Sequence, residues 1–337
     1  MNILVTGGAG YIGSHTAKAL ACRGFHPIVI DDLSTGHAHN VKWGPLVRAD
    51  ISDTGTVRRV LNEYSIEAVV HFAGSALVGE SAAKPLRYFQ NNIGATLSLL
   101  DAMSEEGVKK IVFSSTCATY GLPDQTLITE DQPQKPINPY GDSKLAVERV
   151  LGWMGLAGQL RWLALRYFNA AGADPEGDLG EEHEHETHLI PLAIGAAQGQ
   201  RERLQIFGTD YPTPDGTAIR DYIHVCDLAS AHVNALQYLE HGGENRAFNL
   251  GTGRGASVLE VIRAVETIGG CSVPTAFAPR RAGDPPVLVA GPERAHQFLQ
   301  WEPRYSTLES IVESAWRWHS AIQCQTDLQT SPSNISA

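Results

Sequence analysis

The chain has 337 residues, of which 43% are hydrophobic and 19% charged, and it carries a net charge of −11. That length exceeds one average domain, and the balance is globular, which excludes general disorder. The acidic total excludes nucleic acid as a main partner, because phosphate binding needs a basic surface. A small anion held by a local Arg cluster stays compatible with it.

The chain enters an apolar strand at 2–6, with no basic leader or cleavage site before it. No apolar run reaches membrane-spanning length, so a soluble, unexported protein with no membrane partner is expected. Gly7-Gly8-Ala9-Gly10-Tyr11-Ile12-Gly13 follows that strand directly and opens a helix over 12–23. Glycines in this place let the backbone turn tightly against a pyrophosphate, whose charge then sits at the helix N-terminus. The second strand, 27–31, ends at Asp31-Asp32. A carboxylate there accepts from a ribose diol and repels a 2′-phosphate, which favours NAD over NADP. The third strand, 46–50, ends at Asp50-Ile51, a candidate cover for the adenine edge, with a helix cap or turn as the alternative role of Asp50.

Further strands read at 68–71, 110–114 and 162–166, and helices at 54–64, 85–105 and 140–154. Continuous Val/Ile/Leu runs alternating with amphipathic stretches predict a doubly wound, parallel Rossmann sheet. Tyr140 and Lys144 are four apart, so on a helix they share a face. An ammonium beside a phenol stabilises phenolate and moves its pKa towards the working range.

After Phe168 the texture changes, and 172–180 is a Gly/Pro/Asp-rich boundary loop. The expected division is an NAD-binding domain over 1–172 and a smaller α+β substrate domain over 173–322, the chain crossing back near 221–226. Helices read at 191–198, 225–239, 258–268 and 307–320, and 323–337 reads as a polar, disordered tail. The five cysteines, Cys22, Cys117, Cys226, Cys271 and Cys324, are odd in number and lack Cys-x-x-Cys. They predict reduced thiols in a cytoplasm. His183-Glu184-His185-Glu186-Thr187-His188 lacks the His-Glu-x-x-His spacing, so it reads as a solvated acidic loop and no metal is expected.

Together, the glycine loop, Asp31, Phe72-Ala73-Gly74, Ser114-Ser115-Thr116 and Tyr140-x-x-x-Lys144 resemble the extended short-chain dehydrogenase/reductases. Longer matches at 6–16, 71–74 with 78–81, 165–169, 207–213, 220–225 and 278–284 are similar to the UDP-galactose 4-epimerase family. The resemblance runs from Asn2 to about His319. It implies a homodimeric, NAD-dependent epimerase interconverting UDP-glucose and UDP-galactose through a 4-keto sugar. Tyr140 would exchange the proton of the sugar 4-hydroxyl, Lys144 would hold Tyr140 acidic and bind the nicotinamide ribose, and Thr116 would bond the same sugar oxygen. Gly7, Gly10, Tyr11, Ile12, Gly13, Asp31, Asp32, Asp50, Ile51, Phe72, Ala73, Gly74, Asn91, Tyr140, Lys144 and Phe168 would hold NAD. Asn169, His188, Leu189, Gln205, Ile206, Phe207, Arg220, Arg281, Asp284 and Leu288, with Thr116, would hold the UDP-sugar.

The chain departs from the family at Ala76, where some relatives carry Lys, at Leu288, where they carry Tyr or a small residue, and at His188, where some carry Asn. The position of Leu288 bears on room for a 2-acetamido group, which leaves UDP-GlcNAc/UDP-GalNAc open. The stretches 115–121 and 136–140 also look like those of UDP-xylose/UDP-arabinose 4-epimerases. Related dehydratases and decarboxylases carry acidic residues where this chain has Cys117 and Ala118, which tells against both. A non-catalytic NAD-binding regulator is disfavoured because Tyr140 and Lys144 are both present.

Overall fold

The computed structural model describes residues 1–281 and 283–330. Seven strands form one parallel sheet in the order Arg246–Leu250, Arg161–Tyr167, Lys110–Thr116, Ala68–His71, Asn2–Thr6, His26–Asp31, Leu46–Arg48. The central strands are buried on both faces, which is why they read as unbroken apolar runs instead of alternating ones. One face is covered by helices Tyr11–Cys22 and Val225–Glu240, in a core built around Leu20, Leu228, Ala231 and Leu236. The other face is covered by Thr54–Glu63, Ala95–Glu105 and Pro139–Leu156, around Leu61, Leu99, Met103 and Leu151.

Strand order reverses between Asn2–Thr6 and Ala68–His71. The carboxyl ends of these two strands diverge into different loops, leaving a crevice where such sheets bind ligands. The strand Arg246–Leu250 comes from far along the chain yet closes the sheet edge beside Arg161–Tyr167. A third core, with Ile190, Ile194, Val261, Val265, Ile311 and Val312, supports short strands and the helices Leu189–Ala197, Val258–Gly269 and Leu308–Thr330. Ser257 and Glu260 start the middle of these helices with a capping box.

Two expectations about elements change. The helix read as continuous over 85–105 contains a π-helical segment, Phe89–Gly94, between Pro85–Tyr88 and Ala95–Glu105. The tail expected from residue 323 is helical as far as Thr330, because Gln, Thr, Asp and Leu all tolerate a helix and the first breaker is Pro332. Residues 331–337 of that expectation lie outside the described residues. No helix among the described residues is long and apolar enough to cross a membrane.

Candidate active site

The glycine loop packs under close constraint. Gly7 has φ +67, and a Cβ there would lie 2.6 Å from Ala73 N. A Cβ on Gly13 would lie 2.3 Å from Gly7 O, so the helix must start with glycine to press against the strand end. Gly10 is the N-cap of Tyr11–Cys22 and supplies no side-chain cap, so the first amides keep their N–H groups for an anion. Asp31 accepts from Ala9 N at 2.9 Å and from Leu33 N at 2.8 Å, one bond to each carboxylate oxygen. Each oxygen therefore retains capacity for a ribose hydroxyl. Burial pushes the Asp31 carboxyl above its ordinary pKa, and the two amides partly oppose this. Asp32 turns back to Ser34 N and Oγ. These features fit a dinucleotide at the crevice.

Across the crevice, Phe72 N and Ala73 N both donate to Thr6 O, which fixes the Phe72-Ala73-Gly74 turn. A Cβ on Gly74 would lie 3.0 Å from Asn92 Oδ1 and 3.7 Å from Lys144 Nζ, so this turn borders the Tyr140 helix. Asn138 accepts from Gly141 N at 2.8 Å and caps that helix, with Pro139 at its first turn. Tyr140 and Lys144 follow on the buried face, 8% and 6% exposed. Lys144 Nζ donates to Ser114 O at 2.9 Å and lies 4.9 Å from the Phe113 ring centre. Burial lowers the Lys144 ammonium to about 8, against the pull of Glu148.

The expected lowering of the Tyr140 pKa is corrected here. Burial pushes the phenol well above its ordinary value, and the opposing pull comes from a hydrogen bond with Thr116. Desolvation by burial is the largest cause, and the neighbouring Tyr167 adds to it. Thr116 ends strand Lys110–Thr116 and accepts from Ala118 N at 3.1 Å, which aligns its hydroxyl beside the phenol. Cys117 next to it is an inert thiol, pushed by burial up to about 12.

Asn92, which the sequence reading passed over, is buried at the π-helical segment. Its Oδ1 accepts from Ser75 N at 2.8 Å, and its Nδ2 donates to Ser75 O at 3.0 Å and to Ser143 Oγ at 2.9 Å. Ser143 in turn donates to Tyr140 O. Asn91 is exposed and donates to Ser75 Oγ at 2.9 Å, so both amides grip the turn after Gly74. The wider turn of a π segment is the signal that brings Asn92 inward, and it has no counterpart in hydrophobic periodicity.

Other predicted residues divide by which way they face. Tyr11 donates to Gly172 O at 2.5 Å, and Ile12 packs against the first core. Asp50 is exposed in a turn onto Ser52 N, whereas the Ile51 side chain is buried in the second core. Gln205 is exposed and Phe207 half-buried, but strand alternation turns the Ile206 side chain into the third core. Asn169 Nδ2 donates to Asp221 O at 3.0 Å. Arg220 pairs with Asp284 at 2.5 Å, and the Arg281 guanidinium lies 4.1 Å from the Phe207 ring centre. The Arg281 guanidinium thus stacks on an aromatic face, and the Arg220 fork is held by a carboxylate. Leu288 pairs in register with Arg220 and packs on the cluster of Tyr120, Ile128, Phe168 and Ala290, beside Cys117.

The acidic loop is more structured than expected. Glu181 is 3% exposed, and His188 Nδ1 approaches its Oε1 at 2.5 Å while His183 Nδ1 lies 3.3 Å away. Leu189 opens the helix directly after His188. The reason is local: Trp318 Nε1 donates to Glu181 O, and the Trp318 ring packs against Gly180, which draws the segment inward.

Residues 3–251 match the profile of the NAD dependent epimerase/dehydratase family. A UDP-glucose 4-epimerase of Rhizobium meliloti is 53% identical over 319 residues, covering 95% of this chain and 97% of that protein. The structure of UDP-glucose 4-epimerase from Brucella ovis in complex with NAD is 51% identical, with a TM-score of 0.92, covering 94% of this chain and 98% of the other. The Stenotrophomonas maltophila UDP-glucose-4-epimerase with bound NAD and formylated UDP-arabinopyranose is 41% identical, with a TM-score of 0.94, covering 96% and 99%.

Proposed function

The chain belongs to the NAD dependent epimerase/dehydratase family, and we propose that it interconverts UDP-glucose and UDP-galactose through a 4-keto sugar, with Tyr140 as the proton-exchanging group. The protein is NAD-dependent, and the cofactor supplies a hydride acceptor and donor beside the sugar. The observation that carries the assignment of roles is the buried contact of Tyr140 with Thr116, one helical turn from Lys144 and across the strand ends from the glycine loop.

The chain's own residues can be given definite parts. Thr116 bonds the sugar 4-oxygen and the phenol together, so the proton has one short path. Tyr140 takes that proton when the sugar is oxidised and returns it when the sugar is reduced. Lys144 holds the nicotinamide ribose, and its charge stabilises the phenolate while it lasts. Asn92 and Ser143 fix the helix start that carries Tyr140. Glycines 7, 10 and 13 and Asp31 take the dinucleotide, while Phe207, Arg220 and Arg281 take the uridine diphosphate end. Asp284 orients the Arg220 fork towards it.

Dehydration or decarboxylation would need a carboxylic acid after Thr116, and the groups there are a buried neutral thiol and a methyl. The exposed apolar side chains Leu86, Leu97, Trp153 and Leu156 lie on the 85–105 and 139–156 stretches, and Trp153 is 73% exposed. They support a homodimer that pairs these helices. The test of substrate class is incubation of the purified protein with UDP-galactose, UDP-GalNAc and UDP-arabinose in separate reactions. Conversion of UDP-galactose to UDP-glucose supports the reading, and conversion of none of the three removes it.

A further inference from the structure

We propose that Glu181, His183, Glu186 and His188 form a binding site for one divalent transition-metal ion of the zinc class. Each residue offers one ligand atom, and these atoms all lie within 4.8 Å of one another. Two imidazoles and two carboxylates are the donor set that suits zinc and its neighbours.

The cluster is compact enough to close on one ion after small side-chain shifts. Metal bonds of 2.0–2.1 Å in a tetrahedron put neighbouring ligand atoms about 3.4 Å apart. His183 Nδ1 lies 3.3 Å from Glu181 Oε1 and 3.4 Å from Glu186 Oε2, close to that spacing, while His188 Nδ1 lies 3.2 Å from the other Glu186 oxygen, Oε1, so Glu186 must turn to present one oxygen to the ion. His188 Nδ1 to Glu181 Oε1, at 2.5 Å, is shorter and must open by about 0.9 Å to admit an ion. The second observation is Glu181 itself. Its carboxylate is buried at 3% exposure and aimed into the cluster, where Oε1 faces the two imidazoles at 2.5 and 3.3 Å without a hydrogen bond of sound geometry. An ion among these four groups would balance the buried carboxylate in place of protons on the imidazoles. Glu186 is already oriented, because Thr187 N and His188 N both donate to its Oε1. Outer bonds of that kind hold metal ligands in place. The neighbouring cluster of Asp174, Glu176 and Asp178 differs in this respect. The Lys18 ammonium fills it, at 2.8, 2.6 and 2.9 Å.

An ion here ties the loop after Gly180 to the first turn of Leu189–Ala197. It also fixes the proton of both imidazoles on Nε2, since Nδ1 is the ligand. The test uses the full chain stripped with a chelator, titrated with Zn2+ by calorimetry and with Co2+ by visible absorption. The expected result is one ion per chain, with intense d–d bands of tetrahedral Co2+. His183→Ala, on the half-buried rim, and Glu181→Gln each weaken binding at least about tenfold, a loss on the scale that even outer-sphere partners cause. His185→Ala, an exposed neighbour outside the cluster, leaves binding unchanged. The inference is overturned by a wild type that takes up no stoichiometric ion, which would leave two imidazolium–carboxylate pairs. It is also overturned if His183→Ala binds like wild type, or if His185→Ala weakens binding as much.

Discussion

Replacing Tyr140 by Phe removes one oxygen from a residue that is 8% exposed and keeps its ring in place. The folding cost is small. The phenol bonds to Thr116, and losing one such bond costs about 1 kcal/mol, or roughly 1–2 °C of melting temperature for a chain this long. Ser143 holds Tyr140 through its backbone oxygen, so the helix start is unaffected. The chemical cost is large, because the proton of the 4-hydroxyl then has no acceptor in the site. Positioned proton transfer contributes about two to four orders of magnitude, equivalent to about 3–5 kcal/mol of barrier. Arg220, Arg281 and Phe207 belong to other segments, so affinity for UDP should change by less than about threefold, under 1 kcal/mol. The assay pairs turnover of UDP-galactose, followed by chromatography, with calorimetric titration of UDP. A loss of turnover below tenfold in a folded variant would place the proton acceptor elsewhere. An equal loss of turnover and UDP affinity would make Tyr140 a binding group instead.

Gly13→Ala should purify with little bound NAD, since its methyl would meet Gly7 O, and acid release of nucleotide from the variant measures this; full retention contradicts the loop geometry. Burial holds His15, His224 and His232 at about 4 and His71 at about 3, below the 6.5 of the exposed side chain. Between pH 6.5 and 4 the unfolded chain thus binds more protons than the native one, and stability should fall as pH falls through that window. A urea midpoint that is equal at pH 7 and pH 5 would refute it. Leu288→Ser should raise activity on UDP-GalNAc relative to UDP-galactose, because it shortens a side chain beside Cys117; an unchanged ratio removes Leu288 as a gate. Trp153→Glu should shift the protein to monomer in size-exclusion with light scattering, and an unchanged mass removes that face from the interface.

The parallel sheet was legible because its strands are doubly buried, so Asn2–Thr6 and Ala68–His71 announce themselves as apolar runs beside glycine turns. Arg246–Leu250 was not, because its segment carries Arg and Asn and its place at the sheet edge depends on the distant Arg161–Tyr167. Two-residue strands such as Ile219–Arg220 are shorter than any periodicity can resolve. Within the site, Tyr140, Lys144 and Asp31 follow from spacing and element ends. The inward turn of Asn92 does not, since it depends on a π segment, and neither does the burial of Glu181 under Trp318. The electrostatics were the least legible, because spacing shows that Lys144 shares a face with Tyr140 but not how much water the fold removes from both.

The central claim is that one site oxidises and re-reduces the same sugar carbon. The direct measurement is incubation of the purified protein, without added NAD, with UDP-galactose carrying deuterium at C4. The account predicts UDP-glucose that retains deuterium at C4, with no accumulation of NADH. Loss of the label to solvent, or NADH rising in step with substrate consumed, would contradict it.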